Sequence, residues 1–274
     1  SDISALKIKG VSKIRTPKVE QGKTKYLKNL FQIIRKNKIS LLIPCTNYDL
    51  KILSLNKNKF IQYGCNVMVS RKDLIDSCLD KRKLFDLSKK HNFYSPKIFE
   101  NFKQAKNSRV KTFIKKLRTG HSSLDQIIIK KLQKKDFKDK YIIQEYINGE
   151  ELHLDILNDH NGKFISSCLK KKISMRFGET DIAKVINNQK IKKLSKNLSK
   201  NLKHIGNLDC DIIYDNKKKI PYIIDINPRF GGGYPFTHLS GNNFLHYYIA
   251  NLLGTKFKNN KKNYKIFSKG ITII

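Results

Sequence analysis

Asp225-Ile226-Asn227-Pro228-Arg229-Phe230-Gly231-Gly232-Gly233 gathers metal-binding oxygens, a guanidinium and a glycine run into one short stretch. The apolar run Ile220-Pro221-Tyr222-Ile223-Ile224 ahead of it reads as a strand, so the Asp225 carboxylate and the Asn227 amide oxygen project from one face. Adjacent hard oxygens suit Mg²⁺. Pro228 cannot continue a central strand, Arg229 presents a planar fork for phosphate oxygens, and the glycines permit close backbone approach. The combination points to nucleotide chemistry.

Working outward, Leu208-Asp209-Cys210-Asp211-Ile212-Ile213-Tyr214 alternates like a second strand, and Asp215-Asn216-Lys217-Lys218-Lys219 supplies turn residues between the two. A hairpin centred near Lys218 sets Asp211 opposite Asp225 and Asp209 opposite Asn227. Four oxygen-bearing side chains on one face repel one another unless cations sit among them. A solvated acidic face on an ordinary hairpin is the competing account.

Upstream, 26–36 carries a helical apolar stripe, and 39–44 and 66–70 read as short strands separated by helix, which implies a parallel α/β layer. Ser70 or Asp73 is a candidate cap for the helix that follows. Asp80 opens another helix that runs to Lys90 and stops at His91-Asn92. The strand 112–116 leads into Leu117-Arg118-Thr119-Gly120-His121-Ser122-Ser123, a small polar loop whose amides and hydroxyls suit an anion. The strand 141–147 runs through Asn148-Gly149-Glu150-Glu151 into a strand over 152–157. Such an edge, with an acid beside it, can read a base and accept ribose hydroxyl protons. Glu151 is equally at home as a solvated turn residue.

Composition limits the alternatives. A chain of 274 residues can bury a substantial core and make two or three lobes. Its net charge of +35 would ordinarily suggest nucleic acid. The lysines are instead spread through polar, asparagine-rich connections, which reads as a decorated surface that steers anions. Cys45, Cys65, Cys78, Cys168 and Cys210 are odd in number and form no C-x-x-C pair, against a disulfide framework or zinc site. With no apolar run of membrane-spanning length, a cytoplasmic protein without membrane partners is expected.

Together, Glu145-Tyr146-Ile147-Asn148-Gly149-Glu150-Glu151, Asp209-x-Asp211 and the Asp225 to Gly233 run followed by Tyr234-Pro235 resemble the ATP-grasp superfamily. Within it the chain is similar to the branch typified by the carbamoyl-phosphate synthase large subunit and related carboxylate-amine ligases. The resemblance covers about 80–254. It implies an α/β fold with α+β lobes: a shortened parallel α/β domain over 1–78, then an ATP-grasp domain over 79–274 whose smaller lid lobe spans 79–145 and larger metal-binding lobe 146–274.

The same resemblance implies roles. Lys81 and either Lys115 or Lys116 match phosphate-contacting lysines; a proline usually follows the loop lysine, so either a residue is inserted here after Lys115, or Lys116 is the match and Leu117 replaces the proline. Gly120, Ser122 and Ser123 match the lid, Glu145, Tyr146 and Ile147 the hinge beside adenine, and Glu151 the ribose acid. Asp211, Asp225 and Asn227 match the metal ligands, Asp225 being one methylene shorter than the usual glutamate. Arg229 matches the arginine at the transferred phosphoryl group, while Lys172, Arg176 and Glu179 resemble a strand near the phosphates and acceptor. The expected cofactors are ATP and Mg²⁺, with Mn²⁺ a substitute. The expected reaction joins a small-molecule carboxylate to an amine through an acylphosphate and releases ADP, with a homodimer as one assembly. A catalytically impaired ATP-binding module and a lysine-rich anion or nucleic-acid binder are the alternatives. His121, His153 and His238 are read as structural. The strand, turn and helix with which such chains usually begin is missing ahead of Ser1, so an incomplete acceptor side is expected, and 265–267 and 271–274 read as terminal strands.

Overall fold

The computed structural model describes residues 9–120, 126–176, 179–256 and 266–268. Helix α1 (Lys23–Asn37) buries Tyr26, Leu30, Phe31 and Ile34 and ends at Lys38 in the left-handed conformation. Strand β1 (Leu41–Leu42) pairs in parallel with β2 (Asn66–Val67), and α2 (Leu50–Leu55) and α3 (Lys57–Gln62) lie between them in the chain. Both strands are shorter than their apolar runs. Pro44 has no N–H for the ladder, and Val69 N turns back to Val67 O.

Two helices follow, α4 (Lys72–Leu79) and α5 (Lys81–His91). The expected caps of α4 are corrected. Its N-cap is Arg71 with no side-chain bond; the Ser70 hydroxyl instead accepts from Ile205 N at 2.9 Å, and Asp73 accepts from Arg71 Nε at 2.8 Å. Helix α5 begins as its sequence predicts. The Asp80 side chain accepts from the backbone amides of Arg82 and Lys83, and Asn92 closes the helix in the left-handed region.

A four-stranded antiparallel sheet holds β3 (Ile98–Phe99), β4 (Phe113–Leu117), β5 (Ile127–Ile129) and β6 (Tyr141–Glu145) in the order β3-β6-β4-β5, with α6 (Phe102–Lys106) after β3. A six-stranded sheet follows from β7 (Glu150–Asn158), β8 (Phe164–Arg176), β9 (Glu179–Val185), β10 (Gly206–Asp215), β11 (Ile220–Asn227) and β12 (Ile266–Ser268), in the order β11-β10-β7-β8-β9-β12. Helix α7 (Gln189–Leu202) joins β9 to β10, and α8 (Tyr234–Leu239) and α9 (Phe244–Leu252) follow β11. Glu150 and Glu151 belong to β7 and not to the turn before it. Gly149 lies against the Tyr214 carbonyl where no Cβ fits, which lets β6 pass almost directly into β7.

Alternation decides which side chains see the cleft. Ile191, Leu198 and Leu202 of α7 share a core with Leu152, Leu154 and Ile156 of β7 and with Leu208, Cys210 and Ile212 of β10. The odd-numbered residues of β7 and β10, including Glu151, His153, Asp209 and Asp211, therefore face the opposite side. Asp211 pairs with Asp225 and Asp209 with Asn227, the register that the turn spacing predicts. Past Asp211 the register shifts, since Ile212 pairs with Ile223 and Ile224 is the extra residue of a bulge. Ile223 enters the core while Ile224 and Asp225 both line the cleft, so the bulge re-aims β11 where the oxygens begin.

Candidate active site

A cleft of about 300 Å³ runs between the two sheets. Its lining includes Lys81, Lys116, Gly120, Glu145, Tyr146, Ile147, Glu151, Lys172, Asp211 and Asp225. One end is apolar, with Ile114, Ile213 and Ile224 beside the short hinge between β6 and β7, and the other end is charged.

Lysines and carboxylates meet at the charged end. Lys172 Nζ lies 2.8 Å from Asp211 Oδ1 and 3.7 Å from Glu151 Oε2, and Lys81 Nζ lies 4.0 Å from Asp225 Oδ1. Burial works against the Lys172 ammonium, but Asp211 and Glu151 hold its pKa above the ordinary value. Asp211 is pulled well below the carboxylate range: burial opposes its charge, and His153 and Lys172 outweigh burial. Asp225 moves the other way. Burial raises its pKa, Lys81 relieves it in part, and the Asp211 charge raises it again.

Of the two lysines in β4, Lys116 faces the cleft and Lys115 does not, which corrects the inclusion of Lys115. Neighbours in a strand point to opposite faces; Lys115 Nζ sits 3.2 Å from Asp136 and over the Tyr141 ring. Lys116 is only 5% exposed, and burial followed by the Lys81 charge brings its pKa down to about 8. Arg176 is not among the residues lining this cleft and is paired with Asp181 at 3.0 Å. Ser122, Ser123, His121, the side chain of Glu179 and the run 271–274 lie outside the described residues.

Beneath the glycine run is a buried network that the sequence reading missed. Lys170 Nζ donates to Asp155 Oδ2 at 2.5 Å, to Thr237 Oγ1 at 2.6 Å and to the Gly233 carbonyl at 3.0 Å. Asp155 Oδ1 accepts from Asn207 Nδ2, which also reaches the Arg229 carbonyl. Breaking one partner of such a buried pair costs about 3–5 kcal/mol, because the other charge is left uncompensated. Arg229 Nη1 donates to Asp209 Oδ2 at 2.8 Å and to the Phe230 carbonyl at 3.0 Å. A Cβ on Gly231 would run into that Asp209 carboxylate, which is why glycine is required there.

His153 is buried among three carboxylates. Its Nε2 lies 3.0 Å from Asp209 Oδ1 and 3.5 Å from Asp155 Oδ1, and its Nδ1 lies 3.6 Å from Asp211 Oδ1. Burial and Lys170 favour the neutral ring, yet Asp209 and Asp155 outweigh them and hold its pKa well above the usual histidine value. His153-x-Asp155 alternates in step with Asp209-x-Asp211, a signal visible only once β7 is known to pair with β10. The ligand atoms of His153, Asp155 and Asp209 lie within 4.8 Å of one another. Lys170 and Arg229 already neutralise the two carboxylates, so this trio does not fit a cation. Of the three expected metal ligands Asp225 is the most open: its carboxylate has a lysine no nearer than 4.0 Å and a 3.4 Å contact from Asn227 Nδ2, whereas Asp211 is paired with Lys172 at 2.8 Å and the Asn227 oxygen accepts from Asn47 at 2.6 Å.

Two antiparallel sheets enclosing a lysine-lined cleft, with paired acids at one end and a main-chain hinge at the other, define an ATP-grasp protein. The sequence matches the ATP-grasp domain family over residues 78–233. The chain belongs to the ATP-grasp family. No match was found among curated protein sequences.

Solved structures share the fold at low identity. The N5-carboxyaminoimidazole synthetase of Staphylococcus aureus is 16% identical with a TM-score of 0.65, over 88% of this chain and 67% of that one. The biotin carboxylase domain of Hydrogenobacter thermophilus 2-oxoglutarate carboxylase, in complex with MgADP and bicarbonate, is 13% identical with a TM-score of 0.67, over 88% and 60%. The L-amino acid ligase of Bacillus licheniformis is 14% identical with a TM-score of 0.63, over 88% and 62%. This chain thus spans 60–67% of the length of these three. Among the described residues no helix is long and apolar enough to cross a membrane.

Proposed function

We propose that this chain is an ATP- and Mg²⁺-dependent ligase that joins a carboxylate to an amine through an acylphosphate and releases ADP. The observation that carries the reading is the convergence of Lys81, Lys116 and Lys172 on Asp211 and Asp225 at the charged end of the cleft. The same reading assigns 1–78 to a shortened preceding domain and 79–274 to the ATP-grasp domain.

In this reading the hinge at Glu145, Tyr146 and Ile147 lies along the base and Glu151 accepts from the ribose hydroxyls. Lys81, Lys116 and Lys172 neutralise phosphate oxygens, Gly120 with Ser122 and Ser123 closes over them, and Arg229 holds the phosphoryl group being moved. Asp211, Asp225 and Asn227 would hold Mg²⁺, which supplies charge neutralisation between phosphate oxygens when bound. A carboxylate is a poor electrophile. Its oxygen attacks the γ-phosphorus, the bond to ADP breaks, and the amine then attacks the acyl carbon and displaces phosphate. The protein's share is in-line positioning and neutralised charge, so no nucleophilic side chain is needed. Arg176 is the cation on the acceptor side.

Thermal melting with ATP and Mg²⁺ provides the first test. At a hundredfold excess over Kd, ligand linkage adds about 2.7 kcal/mol of stability, and the gain should vanish in the Asp211→Ala/Asp225→Ala variant. A screen of acid and amine pairs, read by ADP formation, tests the reaction. Stabilisation by ATP without ADP from any pair would favour a catalytically impaired ATP-binding module. Salt-resistant binding of mixed DNA without an effect of ATP would favour a lysine-driven anion binder.

A further inference from the structure

Helix α7 packs its apolar stripe, Ile191, Leu198 and Leu202, on the face of the six-stranded sheet turned away from the cleft. Its other side is lysine. Lys193, Lys196 and Lys200, at i, i+3 and i+7, form a stripe opposite the buried one, with Lys190 and Lys192 flanking it, and all five are exposed. The helix contains no acidic residue, and among the described residues none of these lysines forms an ion pair. Lys190 Nζ donates instead to the Lys219 carbonyl at 3.2 Å, which joins the stripe to the exposed turn Lys217-Lys218-Lys219. Asp215 is the one carboxylate of that turn, 3.8 Å from Lys218 Nζ. This arrangement works against the isolated helix. Lys192–Lys196 and Lys196–Lys200 are like-charge pairs at i, i+4, which destabilise a helix, and Lys190 and Lys192 stand in the first turn, where the dipole disfavours cations. Helix α1 differs, since Arg35 and Lys36 sit in its last turn, where the dipole favours them. An external polyanion relieves both costs in α7.

We propose that this face of α7, with the 217–219 turn, binds the phosphate backbone of a nucleic-acid duplex without reading its sequence. At a rise of about 1.5 Å per residue the lysine stripe runs about 10 Å along the helix, against a duplex that carries a charge about every 1.7 Å of its axis. Each lysine that meets a phosphate releases condensed counterions, a gain that needs no base contact. Membrane-surface helices draw on buried apolar area as well as charge, and none of the exposed large apolar residues belongs to α7 or to the turn. Single strands are held by stacking on aromatic rings, and neither segment has one. The face lies on the far side of the sheet from the nucleotide cleft, so the inference stands apart from the ligase reading.

The test is fluorescence anisotropy of a labelled mixed-sequence DNA duplex with the full chain, from about 50 to 200 mM salt. Wild type is compared with Lys193→Gln/Lys196→Gln/Lys200→Gln and with Lys25→Gln/Lys28→Gln/Lys36→Gln, a control that removes the same charge from the exposed side of α1. Each lysine–phosphate contact adds about 0.9 to the slope of log Kobs against log salt, so the α7 variant should lose about two to three from that slope and the control less than about one. Salt-matched MgATP should leave duplex affinity within about twofold, because the cleft is on the other side of the sheet. Equal slope changes in the two variants, or no duplex binding by wild type, would overturn the proposal. So would displacement of the duplex by MgATP, which puts the polyanion in the cleft. Loss of binding to phosphatidylserine vesicles in the α7 variant, with duplex binding unchanged, would overturn it in favour of a membrane surface. The glutamine variant removes like-charge pairs and should melt no lower than wild type. If it does not fold, Lys196→Gln alone, expected to lower the slope by about one, is judged by the same criteria.

Discussion

Lys115 and Lys116 are chemically identical and adjacent, yet they have opposite fates. Lys116 is sealed against the cleft and Lys115 is spent on Asp136 and Tyr141. Residue identity could not separate them, because the choice belongs to the face on which β4 packs. On the proposed reading, Lys116→Met should weaken ATP binding by about 1.5–3 kcal/mol, ten- to a hundredfold in Kd. Lys115→Met should leave it nearly unchanged. Calorimetric titration with MgATP checks both, and equal effects from the two variants would contradict the assignment. The cationic form of Lys116 is present below about pH 8 and lost above it. Its contribution to nucleotide affinity should therefore decline as pH rises from that value. The surroundings of His153 are hidden in the sequence for a related reason: its three carboxylate neighbours come from its own strand and the one paired to it.

At the scale of elements, the β10–β11 hairpin was the most legible part of the chain. A polar turn between two alternating runs leaves one register that keeps both apolar sets inside, and the Asp211–Asp225 and Asp209–Asn227 pairs follow from it. The bulge at Ile224 was not legible, since nothing local to Tyr222-Ile223-Ile224 distinguishes core from cleft. Helix α5 shows how an element boundary can serve two ends. Asp80 caps α5 and also takes the Arg118 fork, Nη2 to Oδ2 at 2.7 Å, while Lys81 N donates to the Arg118 carbonyl at 3.0 Å. Arg118, just past the end of β4, is thereby tied to the turn that carries Lys81. Asp80→Ala should cost about 1–2 kcal/mol from the lost cap, with a smaller addition from the partly exposed ion pair. Asp80→Ser should recover most of the capping share. Urea unfolding of the two variants separates the contributions, and equal losses would show that the ion pair dominates.

Across the whole molecule, the six-stranded sheet is stitched to its surroundings by a neutral histidine. His204 Nε2 donates to the Ile156 carbonyl at 3.1 Å, and its Nδ1 accepts from Asn158 Nδ2 at 3.3 Å. Acceptance at Nδ1 requires the uncharged ring, and burial, against the opposing effect of the Ile156 carbonyl, lowers its pKa to about 4. An unfolded histidine titrates near 6.5, so the unfolded chain binds this proton first as pH falls. The stability that His204 contributes is thus present above about 6.5 and lost progressively toward 4, on the order of 3 kcal/mol. Unfolding free energies measured from pH 7 to 4 should fall less steeply in His204→Gln than in wild type; parallel curves would refute the assignment.

Local patterning was enough for the hairpin, the Asp80 cap, the helical stripe of α1 and the metal-and-phosphate character of the Asp225 to Gly233 run. Those features depend on spacing along the chain, where a period of 2 or 3.6 residues translates directly into a face. The choice of Lys116, the Lys170–Asp155 pair under the glycines, the charge on His153 and the reach of Asn47 into the site are of another kind. Each is a matter of which surfaces meet across long stretches of chain. Burial and pairing across those contacts set the charges and hydrogen bonds, and no local window of sequence contains both partners.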